Sequence, residues 1–329
     1  MKGALTIPEG QVVVGIDFGG TNIHAGAVDA GGRVVGRSKR KTKAHEGRDT
    51  VVRRLVESVT RALEDGGIAP ERLAAVGVGA PAIVDAAKGV VRKAGNLGWE
   101  DVPLRDILAN AIGRPVVLDN DVNAAAYGEV ALGAARGRRS ALAVWVGTGV
   151  GGALILDGAV WHGPCHTAGE IGYAVLFPGG QPGFMTVEDV CSRSGMVNAI
   201  RRLLPLHPES HLHRLLAEKS DDAGAIGSSM IAKAYLKDDL LARKVVDRAA
   251  ELLGGAIANL VTVLSLDCVV LGGGVTEALG EPYLARVRRG FERAVFPPAL
   301  AKAEFRASAL GDDAGLLGAA MLACRALPA

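Results

Sequence analysis

The chain has 329 residues, with 37 Lys+Arg against 35 Asp+Glu and a formal charge of +2, a balance that gives no general pull toward nucleic acid or an anionic membrane. Apolar residues make up 49% and charged residues 22%, which excludes a disordered chain, and the sequence offers neither a run of 18 apolar residues to span a bilayer nor a secretory leader at MKGALTIPEGQ. The length suggests roughly two domains, and the scattered cysteines Cys165, Cys191, Cys268 and Cys324 form no C-x-C or C-x-x-C pair, as suits a reducing cytoplasm.

In chain order, residues 12–19 read as a β-rich strand closing on Gly19-Gly20-Thr21, followed by strands over 24–28 and 33–41 with a glycine turn between them. Apolar residues at 51, 52, 55, 56, 59, 62 and 63 predict a helix over 50–63. A buried strand over 73–79 stops at Ala80-Pro81, and a helix over 104–111 leads to a strand over 115–118. The order to this point is βββαβαβ. The second half repeats it loosely: strands over 141–146, 152–156 and 159–161, helical patterns through most of 187–264, a buried strand over 268–271, a helix near 280–294, a strand near 303–309, and a small-residue helix over 315–326. A doubled three-strand meander with helical crossovers predicts two similar α/β domains around a cleft, the first comprising 1–120 with a returning C-terminal helix over 311–329, the second 121–310.

Three glycine turns follow apolar strands: Gly19-Gly20-Thr21, Gly147-Thr148-Gly149 and Gly272-Gly273-Gly274. Glycine lets backbone N–H groups face an anion without Cβ interference, and threonine adds a hydroxyl. Two equivalent turns plus a third suit a nucleotide clamp. None has the G-x-x-x-x-G-K-[ST] or G-x-G-x-x-G spacing, so phosphates must be held by another fold. Asp17 is a carboxylate in an otherwise apolar strand, a place that calls for a cation partner such as Mg²⁺ or its waters. The densest polar cluster is Asp119-Asn120-Asp121-Val122-Asn123, at a strand's carboxyl end. One of its members, Asp121, could serve as helix N-cap, but four polar side chains in five positions suit recognition of a polyol, with an Asp as base for a hydroxyl nucleophile. Glu170, flanked by glycines, and Glu188 add two acids in the second half.

These segments, from Gly15-Ile16-Asp17-Phe18-Gly19-Gly20-Thr21 through Asn120-Asp121-Val122-Asn123, Val146-Gly147-Thr148-Gly149, Ala168-Gly169-Glu170-Ile171-Gly172 and Leu271-Gly272-Gly273-Gly274, resemble in order the ROK family of bacterial sugar kinases and sugar-responsive repressors. The resemblance implies the duplicated, ribonuclease H-like domains of the actin/hexokinase fold and an ATP-dependent hexose kinase of the glucokinase type, a homodimer or homotetramer; the cysteine usage and charge balance add the expectation of a cytoplasmic protein with no nucleic-acid or membrane partner. It implies Asp121 as catalytic base and Asn96, Asn120, Glu170 and Glu188 as sugar ligands. Gly19, Gly20, Thr21, Gly147, Thr148 and Gly149 would hold the ATP phosphates, Gly272 and Gly273 would lie near the adenosine, and Asp17 would hold Mg²⁺ through water.

The chain departs from the family pattern at two places, a minor one at Pro81-Ala82, where the family usually has Pro-Gly before the sugar loop, and a larger one at its zinc site. Its zinc-ligating and sugar-touching histidine is replaced by Tyr173, and residues 177–186 contain none of the three cysteines that complete that site. No structural zinc is therefore expected, and Tyr173 puts the identity of the sugar in question. His162, Cys165 and His166, with Cys191, have no standard zinc spacing and read as incidental. Three readings stand: a kinase converting glucose to glucose 6-phosphate, a kinase for an N-acylated amino sugar such as N-acetylmannosamine or N-acetylglucosamine, and a non-catalytic sugar binder. A repressor's N-terminal helix-turn-helix would need some 60 residues, more than the stretch before residue 15 offers.

Overall fold

The computed structural model describes residues 7–177, 185–218 and 226–327. Contacts divide the chain into two compact units, one of residues 1–139, 155–168 and 312–329, the other of residues 140–154 and 169–311. Helix α3 thus groups with the first unit, whereas the sequence-based division at residue 120 would give it to the second.

The first unit is built from β1 (Val12–Phe18), β2 (Asn22–Val28), β3 (Val34–Lys41), α1 (Arg48–Asp65), β4 (Leu73–Ala80), the short strands β5 (Ile83–Asp85), β6 (Val90–Ala94) and β7 (Trp99–Val102), then α2 (Leu104–Ile112), β8 (Val116–Asn120) and α3 (Asp121–Ala131). Its main sheet has the order β3-β2-β1-β4-β8. β1 and β2 are antiparallel, while β4 runs parallel to both β1 and β8. The small β5-β6-β7 sheet was not foreseen. Its strands are three to five residues long, and Gly89, Gly95 and Gly98 interrupt them, which leaves too few alternations to register as a pattern.

The second half supplies β9 (Ala141–Val146), β10 (Val150–Leu156), β11 (Ala159–Trp161), the hairpin strands β12 (Val175–Phe177) and β13 (Met185–Thr186), α4 (Val187–Cys191), α5 (Arg193–Leu203), α6 (His211–Ala217), α7 (Ser228–Tyr235), α8 (Leu240–Leu264), β14 (Cys268–Gly272), α9 (Gly274–Leu279), α10 (Glu281–Ala294), β15 (Glu304–Ala307) and α11 (Ala314–Ala323). The second sheet, β11-β10-β9-β14-β15, repeats the first strand for strand, and β14 is again parallel to its neighbours β9 and β15. This is the duplicated, actin/hexokinase-like architecture. Helix α9 was not foreseen, because the triple-glycine turn opens directly into it. Among the described residues, no helix is long and apolar enough to cross a membrane.

The period-2 alternation of β1 places its side chains on two different helices. Val12, Val14, Ile16 and Phe18 join the large core with Val51, Leu55 and Leu108 of α1 and α2. Val13 faces the other way, into a cluster with Leu316, Ala320 and Ala323 of α11. Helix α11 is apolar on nearly every side, as a helix covered all round must be. It lies so close to the sheet that a Cβ on Gly15 or Gly77 would run into the Leu316 or Ala319 carbonyl. Glycine on the strands and alanine on the helix are what allow this approach. Asp17 continues the row of Val13 and Gly15, with Gly315 of α11 packed against its carboxyl group.

Candidate active site

In the first unit, the site residues stand at the carboxyl ends of parallel strands. Asp17 is the second-last residue of β1. Burial, then the nearby charge of Asp312, raises its carboxyl from 3.8 to about 6. The turn that follows closes through a hydrogen bond from the Gly19 N–H to the Asn22 carbonyl (2.9 Å). Thr42 braces it twice, with its hydroxyl donating to the Gly19 carbonyl (2.6 Å) and its N–H to that of Thr21 (2.8 Å). The Thr21 side chain stays exposed. A Cβ on Gly20 would meet Asn96 Nδ2 at 3.6 Å, so this turn and the exposed Asn96 are neighbours.

The Asp119–Asn123 cluster spans the junction of β8 and α3. Asn120, not Asp121, is the N-cap: its side-chain oxygen accepts from the N–H groups of Val122 (2.8 Å) and Asn123 (3.0 Å). Its amide donates to the Ala82 carbonyl (3.1 Å). Asp121 is therefore the first helical residue, where the helix dipole favours a carboxylate, and its Oδ1 accepts from the Val122 N–H (2.9 Å).

Beneath it lies Asp119, 1% exposed. One of its oxygens accepts from the Asn120 N–H (2.7 Å) and from Asn123 Nδ2 (3.0 Å), and the other faces His162 Nε2 at 2.7 Å. The hydrogen bond to Asp119 holds the imidazole above its ordinary pKa, against the opposing effect of burial. A buried carboxylate needs such a partner. Sequence reading left His162 as incidental, because its partner is 43 residues away.

In the second unit, Gly147-Thr148-Gly149 joins β9 to β10, with the Gly147 N–H donating to the Gly149 carbonyl (2.9 Å). Glu188 of α4 reaches over this turn and accepts the Val150 N–H (2.9 Å). Any side chain at 149 would collide with its carboxylate. Arg193 and Ser194, at the start of α5, complete the bracing. Arg193 Nη2 donates to Thr148 Oγ1 (2.5 Å) and Ser194 Oγ to the Thr148 carbonyl (2.7 Å). Neither residue carries a sequence motif, and both were missed.

Glu170 is half-buried. Burial, then the charge of Glu188, raises its pKa, so the two acids sense each other. Tyr173 is 69% exposed, and its hydroxyl is likewise pushed up by burial, then by Glu188 and Glu170. Gly272 ends β14 and Gly273 precedes α9.

The chemistry of Asp17 fits a magnesium ion, for which it would be an oxygen ligand, charged at neutral pH at a cost that a cation would offset. A structural zinc does not fit. Tyr173 cannot replace an imidazole there, Cys191 is buried and Cys165 exposed. Residues 178–184, where the cysteine run would stand, lie outside the described residues. Among the described residues, no group of three or more His, Cys, Asp or Glu is placed to hold a metal.

The chain is similar to known proteins over nearly its whole length. The model of the ROK family matches residues 13–326. A glucokinase of Halalkalibacterium halodurans is 34% identical over 314 residues, covering 94% of each chain. The crystal structure of a ROK family glucokinase from Streptomyces griseus, in complex with glucose and AMPPNP, superposes with a TM-score of 0.84 at 30% identity, covering 95% of this chain and 99% of the other. A ROK hexokinase from Thermus thermophilus gives 0.75 at 33% identity, covering 95% and 98%.

Proposed function

The chain belongs to the ROK family and is an ATP-dependent sugar kinase; we propose that it transfers the γ-phosphoryl group of ATP to the 6-hydroxyl of glucose, with Asp121 as the base. The observation that carries this reading is the setting of Asp121. It opens α3, directly after a capping Asn120 and above a buried Asp119 fixed by Asn123 and His162. A carboxylate held this way keeps its position while a hydroxyl is brought to it.

Phosphoryl transfer asks mainly for positioning and charge stabilisation. The sugar hydroxyl oxygen forms the new bond to the γ-phosphorus as the bond to the bridging oxygen breaks, ADP leaves, and the hydroxyl proton passes to the Asp121 carboxylate. In this reading Asn96, Asn120, Glu170, Tyr173 and Glu188 orient the sugar. Asn120 and Glu188 also hold their own loops, so their contribution is partly to fix the backbone. Gly19, Gly20, Thr21, Gly147, Thr148 and Gly149 receive the phosphates, Gly272 and Gly273 the adenosine, and Asp17 would hold a magnesium ion, which would shield phosphate charge when bound. The proposed domains are 1–120 with 311–329, and 121–310, in a homodimer or homotetramer.

The test is an ADP-release screen over glucose, mannose, fructose, N-acetylglucosamine and N-acetylmannosamine, run with the wild type and Asp121→Asn. Glucose should lead. The variant should lose about 10²–10⁴-fold in turnover while still binding sugar. A variant as fast as the wild type would remove Asp121 from the mechanism; a better turnover of an N-acylated amino sugar would reassign the substrate.

A further inference from the structure

We propose that Arg193 is a direct ligand of the phosphates of the phosphoryl donor, a role that rests on the kinase reading above. Arg193 is the first residue of α5, and three contacts bind its neighbourhood to the Gly147-Thr148-Gly149 turn. Its own N–H donates to the Gly147 carbonyl (2.9 Å), its guanidinium to Thr148 Oγ1 (2.5 Å), and the adjacent Ser194 hydroxyl to the Thr148 carbonyl (2.7 Å). The guanidinium is therefore held at the side chain of the turn that faces the phosphates in the kinase reading.

Its setting is a poor one for a cation left to itself. The start of a helix carries the positive end of the dipole, which disfavours Arg and favours acids. The first turn of α5 contains no acid, and among the described residues no Asp or Glu pairs with Arg193. Its charge-bearing group rests on a neutral hydroxyl, which uses one of five N–H donors. An anion would relieve this arrangement on three counts. It would neutralise the guanidinium, suit the helix end, and take up free N–H donors in the bidentate geometry that guanidinium and phosphate share. The contact to Thr148 also has a directional effect: when Oγ1 accepts from Arg193, its own hydrogen is left to donate elsewhere. Arg193 and Thr148 then form a pair of donors for one phosphate, and the ligand class is a nucleoside triphosphate read through its charge and not through its base.

Calorimetry with AMPPNP·Mg and, separately, with adenosine tests this without any sugar, so the outcome does not depend on sugar turnover. Arg193→Gln keeps a neutral N–H donor and removes the charge together with the fork of further guanidinium donors. It should weaken AMPPNP about 10–150-fold, the range for losing a charged hydrogen bond, leave adenosine binding and the melting temperature unchanged, and flatten the salt dependence of AMPPNP binding. The proposal is overturned if Arg193→Gln binds AMPPNP as tightly as the wild type, since Arg193 would then only brace the turn. It is equally overturned if AMPPNP and adenosine weaken together, or if the wild type binds no AMPPNP. Failure of the sugar screen with the AMPPNP result intact would sink the glucose reading and leave this one standing.

Discussion

Replacing Asp17 with Asn should make the protein more stable and less active, with a pH dependence that identifies the cause. In the folded chain the Asp17 carboxyl titrates at about 6 instead of 3.8, chiefly through burial under α11. Between those two pH values the folded state holds a proton that the unfolded state has released, so stability falls as pH rises from about 4 to 6. Above pH 6 the full cost of the buried charge is present. A displacement from 3.8 to about 6 corresponds to about 3 kcal/mol. Asp17→Asn carries no charge and avoids that cost. Wild type and variant should therefore melt together near pH 4 and separate progressively, with the variant ahead by about 6–12 °C at pH 7.5, taking 2–4 °C per kcal/mol for a unit of this size. Differential scanning calorimetry at pH 4, 5, 6 and 7.5 reads this directly. AMPPNP·Mg should then narrow the gap at pH 7.5, because only the wild type offers the cation a carboxylate. A gap that does not vary with pH, or a variant that is less stable at pH 7.5, would refute the reasoning.

Glu170→Gln should weaken sugar binding by about 1.5–3 kcal/mol, the range for a hydrogen bond to a charged group, as read by titration calorimetry with glucose. Because Glu188 helps to raise the Glu170 pKa, sugar affinity in the wild type should decline on acidification at a higher pH than an ordinary glutamate would give, and Glu188→Gln should move that decline to lower pH. Tyr173→His should reorder the sugars in the turnover screen if the exposed ring reads the substrate. Elemental analysis of the purified wild type should find no stoichiometric zinc, and about one zinc per chain would point to His162, Cys165 and His166 instead.

The parts of this molecule that were legible in its sequence are those that depend on local pattern. The β-rich, apolar run of β1 announced both a buried strand and the anomaly of Asp17, and the Asp119–Asn123 run announced a polar cluster at a strand's carboxyl end. Which member of that run caps α3 was not legible: Asp121 could have served, but Asn120 holds the two leading N–H groups and Asp121 follows it. A capping residue and its successor look alike in sequence, and only the backbone path separates them. Contacts between distant segments left no trace. Arg193 meets Thr148 across 45 residues, and His162 meets Asp119 across 43. Neither arginine nor histidine sits in a spacing that would mark it, because what selects them is a partner brought close by the fold.

The return of α11 to the first unit has a consequence for the order in which the protein is made. Residues 1–139 leave the ribosome first, yet the helix that covers Val13, Ala75 and the glycines of β1 and β4 begins only at Ala314. At about 5–20 residues per second, the intervening stretch takes roughly 10–35 s to synthesise. Throughout that interval the part of the first sheet that α11 covers stays open beside α3, whereas every strand and helix of the second unit has emerged by Gly311. The half that is encoded first is therefore the half that is completed last. A nascent chain stalled shortly before Ala314 would present its glycine-lined sheet face to whatever chaperone stands at the tunnel exit.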